Sequence, residues 1–247
     1  MRTFIGCAGW SIPSASRALF GRGDSMLARY ATRFDAVEIN SSFHRPHRRS
    51  TYERWAASVP AGFRFSVKLP RAITHDARLQ RAGHELDRFA DEVHGLGRKL
   101  ALVLVQLPPG LPFDARVAAT FFAMLRRRLR SGIACEPRHA SWFEPRVDAL
   151  WRRHGIARVA ADPPTPVAAA ARPGGDTRWR YWRWHGSPRM YYSAYDDAAL
   201  RRLADAVRTA GRGGRRWIVF DNTAHGHAVH DAARLQAMLA GPARVPA

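Results

Sequence analysis

The sequence predicts an α/β protein, a TIM-type (β/α)8 barrel, on three observations. Eight short β-rich runs recur along the 247 residues. Their ends fall about 30 residues apart, the length of one strand, its crossover helix and the return. Most of the gaps carry helical periodicity, and alternating strands and helices imply a parallel sheet. The runs are Thr3–Ala8, Ala36–Asn40, Phe63–Lys68, Ala101–Gln106, Ile133–Glu136, Ile156–Asp162, Arg180–His185 and Trp217–Asp221.

Each gap is then read for its helix. Ser50-x-x-Glu53 and Ser141-x-x-Glu144 have capping-box spacing, and Asp114 is placed to cap the helix that carries Val117, Ala118, Phe121, Phe122, Leu125 and Leu129. Leu86, Phe89, Ala90, Val93 and Leu96 form a second apolar stripe, and Leu200, Leu203, Ala204 and Val207 a third. All three read as core-facing surfaces. Between Asp162 and Trp179, Pro163-Pro164-Thr165-Pro166 and Pro173-Gly174-Gly175 disfavour a helix, so a loop is expected to replace the helix after strand six. No shift in composition suggests a second domain, so residues 1–247 are expected to form one barrel. An open doubly wound sheet is less favoured, because no Gly-x-Gly-x-x-Gly follows the first strand.

Composition narrows the function classes. With 46% apolar and 24% charged residues, the chain is neither a disordered tail nor a fibrous repeat. No apolar stretch approaches the roughly 20 residues that cross a bilayer, so no membrane span is expected. The first residues lack the pattern of a secretory signal, which points to the cytoplasm. Cys7 and Cys135 are too few for a disulfide framework or a metal finger and are expected to be reduced and buried. The net charge is +20, and 38 of the 40 basic residues are arginine, the exceptions being Lys68 and Lys99. Such charge attracts polyanions, but arginine, alanine and glycine crowding is also what the codons of a GC-rich genome produce.

A barrel gathers chemistry where its strands end, and nearly every run here becomes polar at that end. Period-two alternation turns Glu38 and Asn40 inward, with Val37 and Ile39 outward, and likewise Arg183 and His185 inward, with Trp182 and Trp184 outward. The expected catalytic residues are Glu38, Lys68, Glu136 and His185. Trp10, Asn40, His75, Gln106, Arg138, His139, Trp142, Arg183, Asp221 and Asn222 are the expected substrate contacts.

Seven ordered motifs also carry a resemblance. They are Ile5-Gly6-Cys7-Ala8-Gly9-Trp10-Ser11, Val37-Glu38-Ile39-Asn40-Ser41-Ser42-Phe43, Phe65-Ser66-Val67-Lys68, Ile73-Thr74-His75, Gln106-Leu107-Pro108-Pro109, Glu136-Pro137-Arg138-His139-x-Ser141-Trp142 and Arg183-Trp184-His185-Gly186. Across almost the whole chain they resemble the domain of unknown function 72 family, also called YecE-like. The resemblance implies a barrel fold and supplies no reaction. The chain departs from the family pattern at Cys7, at Pro137 and at Asp221-Asn222-Thr223.

The favoured expectation is an enzyme that acts on an anionic, sugar-containing or phosphorylated substrate. Glu38 and Glu136 lie on strands three apart, so their carboxylates would come within roughly 6 to 10 Å, room for a substrate between acid and base. Lys68 and Arg138 would neutralise an anion, and His185 would move protons. At a wet mouth, Glu136→Gln is expected to spare folding. No cofactor is expected. A divalent metal on Glu38, Glu136, His185 and Asp162 or Asp221 ranks lower, because Lys68 would repel it. The alternative is a non-catalytic barrel that binds nucleic acid through a basic, aromatic rim. The oligomeric state is not readable.

Overall fold

All eight expected runs are extended in the computed structural model, which describes residues 2–211 and 213–241. They are β1 (Thr3–Cys7), β2 (Ala36–Ile39), β3 (Arg64–Lys68), β4 (Leu100–Gln106), β5 (Gly132–Glu136), the split run β6 (Ile156–Arg158) and β7 (Ala160–Asp162), β9 (Trp179–Trp184) and β10 (Arg215–Phe220). A two-residue β8 (Gly174–Gly175) was not foreseen.

The strands form two sheets in place of the one continuous ladder expected. One has the order β1-β10-β9-β7 and the other β2-β3-β4-β5-β6-β8. Every pairing is parallel except β6 with β8. The breaks have local causes. Residues 156–158 pair with β5 and residues 160–162 with β9, the change of partner falling at Val159. Between β1 and β2 the ladder gives way to a side chain. The Tyr30 hydroxyl, at the end of α1 (Met26–Tyr30), accepts from the Cys7 N–H at 2.8 Å and donates to the Ala36 carbonyl at 3.1 Å. Beyond it there is one parallel bridge, Ala8 to Glu38, with the Gly9 N–H donating to the Glu38 carbonyl at 2.8 Å. A Cβ on Gly6 would lie 2.0 Å from the Ala36 carbonyl oxygen, so only glycine permits this approach.

Helices cover the outer face. They are α2 (Arg49–Ala57), α3 (Gly83–His94), α4 (Ala115–Arg128), α5 (Pro145–His154), α6 (Asp197–Thr209) and α7 (His227–Ala240). The three expected apolar stripes are buried except for Val117, which is half-buried, and Asp114 caps α4 by accepting from the Arg116 and Val117 N–H groups. Neither expected capping box forms. α2 begins at Arg49, one residue before Ser50, with no side-chain cap. Ser141 instead accepts from the Phe113 N–H at 2.8 Å, and α5 opens at Pro145, whose ring lacks the N–H a cap would satisfy. Between β7 and β9 there is no α-helix, only a turn at Ala168–Ala171 and β8.

Alternation along the strands gives each residue a side. Ile5, Val37, Ile39, Val67, Val103, Ile133, Trp182, Trp184 and Ile218 pack with the helices. Phe4, Ala36, Leu102, Leu104, Ala134, Ala157, Tyr181 and Trp217 form a second cluster on the opposite face, shared by both sheets. This inner face is apolar toward the amino ends of the strands and ionic toward their carboxyl ends. Cys7 and Cys135 are free and buried. Burial pushes both thiols up, so neither is an activated nucleophile.

Candidate active site at the carboxyl ends of the strands

Arg183, one step from the end of β9, organises the site. Its Nη2 lies 2.9 Å from Glu38 Oε1 and 2.8 Å from Asp221 Oδ2, and its Nη1 lies 3.2 Å from Glu136 Oε2. One guanidinium thus bridges carboxylates from β2, β5 and the residue after β10. Both oxygens of Glu38 are taken, since Tyr181 donates its hydroxyl to Oε2. Burial and the Glu38 charge push the Tyr181 hydroxyl up, which keeps it a donor. Glu38 therefore positions Arg183 and Tyr181.

Glu136 also accepts from Arg138 Nε at 2.7 Å. Burial alone would raise the Glu136 carboxyl, but Arg138, His185 and Arg183 outweigh it and hold it well below the usual carboxylate range. Asp221 follows the same logic, with burial opposed by Arg183 and His185, and its carboxyl is lowered. Glu136 is 1% exposed. It pairs with the Arg138 and Arg183 guanidinium groups inside the protein, which corrects the expectation that it sits at a wet mouth.

His185 lies between two such pairs. Its Nε2 is 3.0 Å from Glu136 Oε1 and 2.9 Å from Arg138 Nη2, and its Nδ1 is 3.0 Å from Asp221 Oδ2 and 3.4 Å from Arg183 Nη1. Each ring nitrogen has a carboxylate to donate to when protonated and a guanidinium to accept from when not. The ring is fully buried. Tyr191 packs edge-on against it at 5.7 Å from a backbone φ of +71°, a conformation that costs a side-chain-bearing residue about 1 kcal/mol or more.

Lys68, the last residue of β3, is the cation this network leaves alone. It is 7% exposed, and among the described residues no carboxylate lies within 4.0 Å of its Nζ. The ammonium sits 4.0 Å above the Phe43 ring. Burial and Arg183 lower its pKa to about 8, against the opposing pull of Glu38, Glu136 and Asp221. His75 is half-buried beside it, its ring 5.0 Å from Phe43.

The remaining expected contacts divide. Gln106 is half-buried opposite Glu136 in register. Asn40 Oδ1 and Asn222 Oδ1 are buried acceptors without a partner, whereas Asn222 Nδ2 donates to Asp231 Oδ2 at 2.7 Å. Trp10 packs on Trp55 and is half-buried. His139 is tied into its own turn with Ser141. Trp142 lies apart from the ionic cluster: it is buried, donates to the Leu111 carbonyl and stacks on Trp151. Sequence reasoning missed Tyr181 and Asp231. Tyr181 is two residues before Arg183, so the same alternation already turned it inward. Asp231 had no signal beyond a carboxylate among apolar residues of α7.

Among the described residues no cluster of metal-ligating side chains is arranged to hold an ion, and the Arg183 guanidinium occupies the point where the three carboxylates converge. No helix there is long and apolar enough to cross a membrane. A cleft of about 1240 Å³ opens at the opposite end of the strands and is lined by nine arginines and one carboxylate, Asp176.

Parallel sheets covered by helices, with ionic side chains converging where the strands end, define an α/β protein with a candidate active site at that end. The chain belongs to the family described as "Protein of unknown function DUF72", whose model matches residues 4–246. It is 27% identical over 173 residues to the UPF0759 protein YecE of Escherichia coli K12, which covers 68% of this chain and 61% of that protein's length. Among solved structures it resembles a DUF72 family protein of Enterococcus faecalis V583, with a TM-score of 0.80, 20% identity, and 96% and 95% of the two chains covered. A D-allulose 3-epimerase from Methylomonas sp. is more distant, with a TM-score of 0.52, 14% identity, and 97% and 96% covered, a likeness of fold alone.

Proposed function

We propose that the two sheets together wall a single (β/α)8 barrel and that its carboxyl-end site is an enzyme centre for a small anionic, sugar-containing or phosphorylated substrate. The observation that carries this reading is His185, whose two ring nitrogens each face both a carboxylate and a guanidinium. Such a ring gains or loses a proton without leaving a buried group unpaired, which is what acid/base chemistry at one position requires. Glu136 stays ionised and steadies the imidazolium, while Arg138 and Arg183 steady the neutral ring. The orphaned Asn40 and Asn222 oxygens suit the hydroxyl donors of a sugar. Lys68, with no carboxylate within 4.0 Å of its Nζ among the described residues, attracts the anion. The distant fold likeness to a sugar epimerase agrees with this substrate class.

The test is calorimetric titration with inorganic phosphate and D-ribose 5-phosphate. Binding is expected to weaken with salt, to weaken as pH rises through about 8, where Lys68 loses its charge, and to be lost in Lys68→Met. Equal affinities in wild type and Lys68→Met would refute the reading.

A second reading has its own observation, the arginine-lined cleft at the amino ends of the strands. It suits the phosphates of a single-stranded nucleic acid, with Arg215 lying over Trp179 as a surface on which a base can stack. Replacing Arg98, Arg127 and Arg130 by serine is expected to flatten the salt dependence of oligonucleotide binding by about 2 in log–log slope, roughly 0.7 per lost contact. An unchanged slope would assign the charge to composition.

A further inference from the structure

We propose that Lys68 is a nucleophile that forms an imine with an aldehyde or ketone, which makes the site one for carbonyl compounds. The inference rests on the enzyme reading above and narrows its substrate to carbonyl-bearing molecules, the open-chain form of a sugar phosphate among them.

The first support is the choice of residue. Arginine serves at 38 of 40 basic positions, so a lysine marks a place where a guanidinium does not suffice. Lys99 illustrates one such reason: its Nζ donates to the Ala56 and Val59 carbonyls, both at 2.6 Å. Among the described residues Lys68 Nζ makes no such hydrogen bond, so hydrogen bonding there does not explain it. What lysine offers and arginine lacks is an amine that deprotonates near neutral pH.

The second support is the setting. Lys68 ends a rigid strand, is almost wholly buried, has no carboxylate within 4.0 Å of its Nζ among the described residues, and feels burial and the Arg183 guanidinium more strongly than the pull of Glu38, Glu136 and Asp221. Burial beside another cation is how an amine is kept nucleophilic. With a pKa of about 8 against 10.5, roughly 300 times more of it is free amine at pH 7 than for an ordinary lysine.

The step balances without a further reactant. The ammonium releases a proton, and the Nζ lone pair bonds to the carbonyl carbon while the C=O π electrons move to oxygen, which takes up a proton. Loss of that oxygen as water, with a second proton from nitrogen, leaves the iminium. Overall, ammonium and carbonyl become iminium and water. The iminium then draws electrons from the adjacent C–H bond, whose proton would pass to the neutral His185 ring.

The experiment is reductive trapping of the full-length protein with D-glyceraldehyde 3-phosphate, or unphosphorylated D-glyceraldehyde, and cyanoborohydride, followed by peptide mass mapping. The chain carries two lysines and its terminal amine, so each adduct has a clear address. Labelling is expected chiefly at Lys68, rising through about pH 8, and absent at that position in Lys68→Arg. Lys68 labelling no greater than that of Lys99 overturns the inference. Inorganic phosphate separates the two readings. If phosphate binds yet Lys68 is not labelled, the imine is wrong and the anion site stands. If Lys68 is labelled and phosphate neither binds nor protects it, the imine stands and the anion reading falls.

Discussion

Arg183 and Glu38 pair across the boundary between the two sheets, Nη2 to Oε1 at 2.9 Å, with side chains 1% and 0% exposed. The pair does structural work between β9 and β2, strands that share no ladder. Removing one member of a buried pair leaves the other charge unsolvated, at about 3–5 kcal/mol. Arg183→Met is expected to destabilise by that amount in urea unfolding. Adding Glu38→Gln should bring a smaller further loss than Glu38→Gln does alone, with a coupling of about 1 kcal/mol or more. Strict additivity would show that the pair does not hold the boundary.

Tyr30→Phe keeps the ring in its packing and removes the hydroxyl that serves both Cys7 and Ala36. Two buried backbone groups lose their partner, so a loss of about 1–3 kcal/mol is expected. Amide exchange at Cys7 should accelerate more than at Ile218 in the neighbouring ladder.

Lys68 has a pH signature separate from any activity. Its folded pKa, about 8, is below the value of 10.5 for the unfolded chain. Between these values the unfolded state binds more protons, so this group makes stability rise with pH across that window. Below pH 8 it destabilises by about 3 kcal/mol relative to a neutral side chain, at about 1.36 kcal/mol per unit. The stability advantage of Lys68→Met over wild type should therefore shrink from pH 8 to 10.5. A constant difference would place an ordinary amine there.

The carboxylates act with the opposite sense. The Glu136 and Asp221 carboxyls are lowered by their cationic partners, so their contribution is present above the ordinary carboxylate range, near pH 4, and is lost as pH falls through their folded values. Acid unfolding followed by circular dichroism should therefore begin at higher pH in Glu136→Gln than in Asp87→Asn, where the carboxylate pairs with Arg128 at the surface.

The strands and their facing were legible because alternation and pitch are local properties. Inward Glu38, Arg183 and His185 followed from it directly. What the side chains do there was not legible, since it depends on which of them meet. Arg138 was read as an anion ligand, yet two residues of chain bring it onto Glu136. Asp221 and Arg183, expected as substrate contacts, instead join the ionic cluster with one charge of each sign. Trp142 is expected as a substrate contact, but the turn at 140–143 swings it under the β4–α4 loop. The split of the wall into two sheets left no trace in the sequence, because a tyrosine hydroxyl replacing ladder bonds resembles any buried tyrosine.

The run from Ile156 to Asp162 belongs to both sheets, the first half to one and the second to the other. It therefore acts mechanically as a hinge pin, with the Tyr30 hydroxyl and the Ala8–Glu38 bridge as the latch on the far side. At the pin the two sheets are joined by the unbroken chain through Val159, while at the latch they are joined by a few hydrogen bonds. The latch is thus the weaker junction, and the Arg183–Glu38 pair ties the two sheets together by charge where the ladder does not.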